Sequence, residues 1–148
     1  AAFRECPPDV LVFLMFIVAY FQRSPNPVQA AFSRLDGPAG NGQITLHKFN
    51  ESLNSMRCKK FKGPNEAHRV EALFRYLDPS GEGQISREEF GVLEAFYRET
   101  QMVIAEFARF GERVFGDLDA TWDYLDSDGK GELDCNTWVM KAQGAGYF

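Results

Sequence analysis

The chain has 148 residues, of which 45% are hydrophobic and 25% are charged. This composition is typical of a folded globular protein and excludes a largely disordered chain. The formal net charge is -5, from 21 acidic and 16 basic residues. The sequence therefore lacks the basic excess that nucleic-acid binding requires, and we expect no nucleic-acid partner.

The first predicted element is a helix over residues 8–22, whose apolar run begins at Val10 and ends at Phe21 without a charge. This run of twelve residues is shorter than the ~20 that a membrane-spanning helix needs. A helix that is apolar on every side must be covered on every side, so we expect a protein partner over residues 10–21. Another part of a longer chain and a membrane surface are alternatives, of which membrane contact is not favoured. Burial in the protein's own core is the remaining interpretation.

Three segments repeat one pattern along the chain. Each has an aromatic residue four positions before an Asp and a Leu one position before it: "FSRLD" ending at Asp36, "FRYLD" ending at Asp78, and "WDYLD" ending at Asp126. A Gly, an aliphatic residue and an aromatic residue follow at constant spacing: Gly42, Ile44 and Phe49; Gly83, Ile85 and Phe90; Gly131, Leu133 and Trp138. The pattern predicts three helix–loop–helix units, in which the aromatic residue and the Leu of the first helix face inward.

Cap residues mark where the first helix of each unit starts. Asn26 and Pro27 have the residue types of a helix cap and a first helical position, and Asn65 follows a Gly-Pro pair in the same way. Asp117, which follows Gly116, is the corresponding cap of the third unit.

The loop of the middle unit, residues 78–89, reads "DPSGEGQISREE". Side chains that carry oxygen stand at positions 1, 3, 5, 9 and 12 of this loop, with Gly83 at position 6 and Ile85 at position 8. The three units therefore resemble the EF-hand family, in which two helices flank a twelve-residue calcium loop. The resemblance implies an all-α fold of EF-hand helix–loop–helix repeats, with short β bridges that pair neighbouring loops.

The first loop, "DGPAGNGQITLHK", departs from this pattern. When Gly42 and Ile44 set its register, position 1 falls on Gly37, and Asp36 stands one residue early. Position 12, where the family has an acid that binds through both oxygens, is Lys48. An ammonium at this position would oppose a divalent cation, so we expect a structural loop that pairs with the middle loop.

For the middle loop, the resemblance implies calcium, Ca2+, as the bound ion. The implied ligands are the side chains of Asp78, Ser80 and Glu82, the backbone carbonyl of Gln84, a water held by Ser86, and both oxygens of Glu89. The three carboxylates are expected to converge and to repel one another until a cation neutralises them. Gly83 permits the sharp turn, and Ile85 is expected to pack inward and to pair with the first loop.

The third loop, "DSDGKGELDCNT", keeps Asp126 and Asp128 but has Lys130 at position 5 and Thr137 at position 12. Since it lacks the bidentate acid, we expect a scaffold loop without calcium. Its aliphatic residue, Leu133, has no partner loop within the three units. We therefore expect a fourth unit elsewhere, or pairing with another chain.

The regions between the units predict two extra helices. One is the apolar helix near the start of the chain, and the other covers residues 101–115. An apolar stripe from Phe90 to Val114 is compatible with one long helix or with a break near residues 98–101. The predicted organisation is an apolar N-terminal helix (1–25), the paired first and second units (26–99), and a linker helix with the third unit (100–148).

The sequence favours a calcium-binding EF-hand protein with one functional site, which acts by protein–protein contact as a regulatory or structural subunit of a larger assembly. The alternatives are a regulatory arm of a larger enzyme, for example a kinase, and a membrane-associated subunit anchored by the apolar N-terminal helix. No nucleophile motif, phosphate-binding glycine loop or histidine pair is present, so we expect no enzymatic activity of the chain itself.

Two further expectations concern origin and compartment. The chain starts with Ala1 rather than Met, which favours a piece of a longer protein. Its three cysteines have no metal or redox spacing, which favours an intracellular, cytoplasmic location. An organellar or membrane-associated assembly is the alternative.

Overall fold

The computed structural model describes residues 6–147, and this part of the chain is mostly helical with one two-stranded sheet. The prediction of an all-α fold is confirmed at this level. The chain divides into two compact units, Ala1–Tyr97, described from residue 6, and Arg98–Phe148, described to residue 147. We call them unit 1 and unit 2.

Unit 1 contains two helix–loop–helix segments preceded by one further helix. The helices are α1 (Pro8–Tyr20), α2 (Pro27–Asp36), α3 (Leu46–Ser55), α4 (Glu66–Leu77), α5 (Arg87–Phe90) and the first part of α6 (Val92–Phe115). The cap predicted for α2 is present, because the Asn26 side chain accepts a hydrogen bond from the backbone N–H of Gln29 at 3.2 Å. Asn65 precedes α4 as predicted but makes no such side-chain bond.

A short antiparallel sheet joins the two loops of unit 1. Its strands are β1 (Gln43–Thr45) and β2 (Gln84–Ser86), and Ile44 lies opposite Ile85. Both isoleucine side chains are fully buried. The predicted pairing of the first and middle loops through these two residues is confirmed.

A cluster of phenylalanines forms the centre of unit 1. The repeat pattern placed Phe32 and Phe74 on the inner faces of α2 and α4, and both are buried. Phe49 and Phe90, from the helices that follow the loops, are also buried and lie 5.9 Å from Phe74 and 5.5 Å from Phe32 between ring centroids. The inward faces that the repeats predicted in unit 1 are therefore confirmed.

Helix α1 also belongs to this core. Phe13 lies 5.4 Å from Phe49 and 6.2 Å from Phe90 between ring centroids, in edge or tilted geometries that aromatic pairs prefer. Asp9, in the first turn of α1, accepts two hydrogen bonds from the Arg69 guanidinium of α4, at 2.7 and 3.0 Å. The sequence set residues 1–25 apart as a separate segment, but the structure packs the described part of it into unit 1.

The outer side of α1 is not enclosed in the same way. Met15 is 53% exposed, and Tyr20 is also exposed, while Val10, Leu14 and Ile17 are buried with Phe13. The sequence led us to expect that this helix is covered on every side. The protein's own core covers its inner side only. Among residues 6–147, no helix combines the length and the apolar character needed to cross a membrane.

Unit 2 contains the rest of α6, with α7 (Leu118–Leu125) and α8 (Cys135–Gly144). Helix α6 is continuous through residues 98–101, so the structure supports the single long helix rather than the break. Asp117 caps α7 as predicted, accepting from the backbone N–H of Ala120 at 2.7 Å.

The third unit differs from the other two at its first aromatic position. The pattern predicted that Trp122 and Leu125 face inward, and Leu125 is indeed buried, but Trp122 is 44% exposed. The prediction for Trp122 is therefore wrong. Among the described residues of unit 2, Phe110 and Ala142 are buried together with Leu125, and the rings of the half-buried Phe107 and of Phe110 lie 5.0 and 5.1 Å from that of Tyr147. Phe107, Phe110 and Tyr147 make these contacts without the Trp122 side chain.

Gly111 is a point of close approach between α6 and α7 in unit 2. A Cβ atom built on it would lie 2.8 Å from the Thr121 Cγ2 atom and closer still to its hydroxyl. Gly to Ala inside a helix usually stabilises by about 1 kcal/mol, but here we expect Gly111→Ala to lower the free energy of unfolding by about 1–3 kcal/mol. Chemical denaturation followed by circular dichroism measures the change.

A double-mutant cycle identifies the cause. In a Thr121→Ala background the two closest atoms are gone and only the Cβ of residue 121 remains, at 3.1 Å, so adding Gly111→Ala should cost much less stability than in the wild type. An equal loss of stability in both backgrounds would show that the close contact with Thr121 is not the reason.

Candidate metal centre

The middle loop starts where α4 ends and finishes in the first turn of α5. Asp78 is the C-cap residue directly after α4, and it is one of the few buried polar residues in the described part of the chain, with 6% of the residue exposed. Its Oδ2 atom accepts a hydrogen bond from the backbone N–H of Gly83 at 2.8 Å. Gly83 has φ of 82°, a left-handed conformation that favours glycine, so the loop can turn back onto the Asp78 carboxylate.

Ser80 connects the two ends of this loop. Its hydroxyl oxygen lies 3.1 Å from Asp78 Oδ1 and 3.0 Å from Glu89 Oε2. A hydroxyl has one proton to donate, so it can bond only one of these carboxylates at a time. The structure thus brings together three of the predicted ligands, positions 1, 3 and 12 of the loop, through contacts of the Ser80 hydroxyl.

Glu89 is held by the start of helix α5 as well as by Ser80. Its Oε1 atom accepts from the backbone N–H of Ser86 at 3.0 Å, while the Ser86 hydroxyl accepts from the backbone N–H of Glu89 at 3.1 Å. This reciprocal arrangement is a capping box. The Ser86 N–H is the largest cause that lowers the pKa of Glu89, and together with the weaker hydrogen bonds from Ser80 it outweighs the opposing effect of burial. The carboxylate is therefore anionic at neutral pH.

One predicted ligand, Glu82, lies outside this cluster. Glu82 is exposed, and among residues 6–147 its side chain makes no hydrogen bond to the other predicted ligands. Gln84, whose backbone carbonyl is the predicted ligand, lies in strand β2 opposite Thr45. The convergence of three carboxylates that the sequence predicted is therefore not found, because the Glu82 carboxylate is in solvent, away from the two negative charges that would repel it.

Within the described residues, no three His, Cys, Asp or Glu side chains form a group that could hold a metal ion. The middle loop offers two adjacent carboxylates, a hydroxyl between them, and backbone carbonyls. Any cation would therefore have to take several of its ligands from groups other than carboxylates.

The first loop has one residue more than the middle loop, but its Asp carboxylate makes the same contact with the backbone N–H of the loop glycine. We call this contact the anchor of the loop. Asp36 Oδ2 accepts from the backbone N–H of Gly42 at 2.8 Å, matching the contact of Asp78 with Gly83. The register drawn from the sequence gave position 1 to Gly37, and the structure corrects this, because Asp36 takes that role. Gly37 has φ of 86°, and this left-handed residue accommodates the insertion directly after the Asp.

Lys48 turns into the first loop instead of pointing to solvent. Its ammonium lies 2.9 Å from Asp36 Oδ1, 3.0 Å from the backbone carbonyl oxygen of Gln43 and 3.4 Å from Asn41 Oδ1. Burial alone would raise the pKa of Asp36, but Lys48 and the backbone N–H groups of Gly42 and Asn41 together lower it. The sequence identified Lys48 as a residue that would oppose a cation, but it missed that this ammonium contacts the loop oxygens. The available signal was a basic residue at a position where the other two loops have a side chain that carries oxygen, Glu89 and Thr137.

The third loop keeps the anchor and little else. Asp126 Oδ2 accepts from the backbone N–H of Gly131 at 2.9 Å. The backbone N–H of Lys130 points to the carboxylates of Asp126 and Asp128, at 3.1 and 3.3 Å. Thr137, at the last position, has its backbone N–H bonded to Asp134 at 2.7 Å and offers no carboxylate. The three loops therefore share one anchoring contact and differ at their last residue.

Comparisons of the chain with protein-family models, with curated proteins and with solved structures found no match. The resemblance to the EF-hand family accordingly rests on the residues of the three loops. The shared contact between the Asp carboxylate and the glycine N–H is an independent sign that the three loops are repeats of one unit.

Proposed function

We propose that this chain is an EF-hand module that binds one calcium ion in its middle loop. The observation that carries the proposal is the position of Asp78 and Glu89, from opposite ends of the loop, on either side of the Ser80 hydroxyl. Two anionic groups this close repel each other, and a divalent cation between them would relieve the repulsion.

The chemistry of the loop fits calcium better than a softer metal. All the side chains at the ligand positions offer oxygen, and no cysteine or histidine lies within residues 78–89. Calcium takes six to eight oxygen ligands in a flexible shell. The candidates that would hold it are the side chains of Asp78, Ser80 and Glu82, the carbonyl of Gln84, a water on Ser86, and the Glu89 carboxylate. The exposed Glu82 side chain is free to turn toward a bound cation.

The proposal assigns one site rather than three. Position 12 is an acid only in the middle loop, whereas it is Lys48 in the first loop and Thr137 in the third. Lys48 also brings its own positive charge to within 2.9 Å of the first loop's carboxylate. A single site suits a regulatory or structural subunit that acts by contact with other proteins, without catalysis by the chain itself.

A protein partner, if it docks on α1, would contact the outer side of that helix. Its inner side is already used by the core of unit 1, where Val10, Phe13 and Ile17 are buried. Met15 and Tyr20 are the exposed large hydrophobic residues of α1 that such a partner would cover. The proposed contact is therefore smaller than the whole helix that the sequence indicated.

Titration of the calcium-free protein with calcium in a calorimeter tests the proposed function. We expect one equivalent to bind, because one loop has the full set of oxygen ligands. Asp126→Asn is the matched control, since it alters the anchor of the third loop and should leave the stoichiometry at one. Absence of binding would reject the calcium proposal, and two or more equivalents would reject the assignment to a single loop.

A further inference from the structure

The oxygens that surround the Lys48 ammonium correspond to ligand positions of the middle loop. When Gly42 is aligned with Gly83, Asn41 corresponds to Glu82 and Gln43 corresponds to Gln84. Asp36 corresponds to Asp78, because each makes the same contact with its glycine. The ammonium therefore contacts the equivalents of ligand positions 1, 5 and 7: a carboxylate, a side-chain amide oxygen and a backbone carbonyl.

We infer that the Lys48 ammonium is the resident cation of the first loop, held at the position that a metal ion would take and contributed by the chain itself. The first loop is then closed without any metal. A lysine has three protons to donate, and three loop oxygens lie within 3.4 Å of its nitrogen.

The surroundings of this ion pair distinguish it from an ordinary surface pair. The Asp36 side chain is 9% exposed and the Lys48 side chain is 32% exposed, whereas the i,i+4 pairs Lys62–Glu66 and Glu71–Arg75 are more open. Exposed pairs contribute little because water and salt screen them. Here the carboxylate is mostly enclosed, so removal of the ammonium leaves it buried without a counter-charge.

The closed first loop also supports the middle loop. Strand β1 contains Gln43, whose carbonyl accepts from Lys48, and Ile44, which pairs with Ile85 of β2. An ammonium that fixes Gln43 therefore fixes one end of the sheet shared by the two loops. The middle loop would have a fixed neighbour at all metal concentrations, because the first loop needs no metal to close.

Thermal unfolding in a chelating buffer gives the first test. Lys48→Met keeps a long side chain and removes the charge, and Lys60→Met is the matched control because Lys60 is an exposed lysine. We expect Lys48→Met to lower the unfolding midpoint by about 4–8 °C relative to Lys60→Met. A shift of this size corresponds to a loss of about 1 kcal/mol in the free energy of unfolding of a domain of about 60–100 residues. Equal midpoints for the two variants would overturn the inference. The chelator removes calcium, so this result does not depend on the proposed function of the middle loop.

Calcium titration of Lys48→Glu gives the second test. Lys48 is the third residue of α3, and Thr45 caps its backbone N–H at 3.2 Å, so a Glu there can form the capping box seen at Ser86 and Glu89. We expect Lys48→Glu to bind one more calcium equivalent than the wild type, whatever number the wild type binds. A stoichiometry equal to that of the wild type would show that the ammonium is not at a metal position. Failure of the proposed function is distinct, because it appears as zero binding in the wild type.

Discussion

Replacement of Glu89 by Gln is expected to weaken calcium binding by at least about 100-fold, since loss of even an outer partner of a metal ligand costs about 10–100-fold. Glu89 supplies the only acid at position 12 in the three loops, and calcium would use both of its oxygens. Gln keeps the length of the side chain and can still accept from the Ser86 N–H, so the start of α5 should be preserved. The change therefore removes a charge and one oxygen from the site without removing the helix cap.

The control for this prediction is Glu88→Gln, which makes the same change of charge one residue earlier. Glu88 is exposed, and it is not a predicted ligand. Calorimetric titration of both variants, with unfolding midpoints measured in chelator, separates binding from stability. Equal calcium affinities for Glu89→Gln and Glu88→Gln would mean that Glu89 does not bind calcium.

The core of unit 1 could be predicted from the sequence because it follows from periodic positions. An aromatic residue four positions before the loop Asp, and another seven after the loop glycine, must face the same interior when two such units pair. Phe32 and Phe74 fulfil the first condition, Phe49 and Phe90 the second, and all four are buried. The pairing of Ile44 with Ile85 follows from the same symmetry.

Features that depend on the local conformation of one residue could not be predicted in this way. The pattern gave position 1 of the first loop to Gly37. In the structure Gly37 has a left-handed φ, and Asp36 instead accepts the hydrogen bond from the Gly42 N–H that marks position 1. The direction of the long, flexible Lys48 side chain is not set by spacing, so its contacts with the loop oxygens were missed.

The exposed Trp122 shows the limit of the repeat argument itself. An aromatic residue faces inward only when the surrounding structure provides an interior at that place. In unit 1 the second helix–loop–helix segment provides it, whereas unit 2 has one such segment among its described residues. The predicted convergence of three carboxylates in the middle loop is also absent. Nothing in the described part of the chain holds the Glu82 side chain near the other two, and its charge stays in water at little cost.

Replacement of Phe13 by Ala is expected to lower the free energy of unfolding of unit 1 by about 3–5 kcal/mol. Phe13 is fully buried, and its ring contacts those of Phe49 and Phe90, which belong to different helix–loop–helix segments. Its removal leaves a cavity between these helices in addition to the lost hydrophobic burial. Urea denaturation followed by circular dichroism in chelator measures the change.

Met15→Ala tests whether the effect belongs to the inner side of α1. Met15 lies on the same helix but is 53% exposed, so its truncation should change stability by less than about 0.5 kcal/mol. If both variants lost little stability, α1 would not be part of the core, and a separate partner would be needed to cover the whole apolar run. A large loss for Phe13→Ala alone means that the inner side of α1 is part of the fold, so only its outer side, with Met15 and Tyr20, is free for binding.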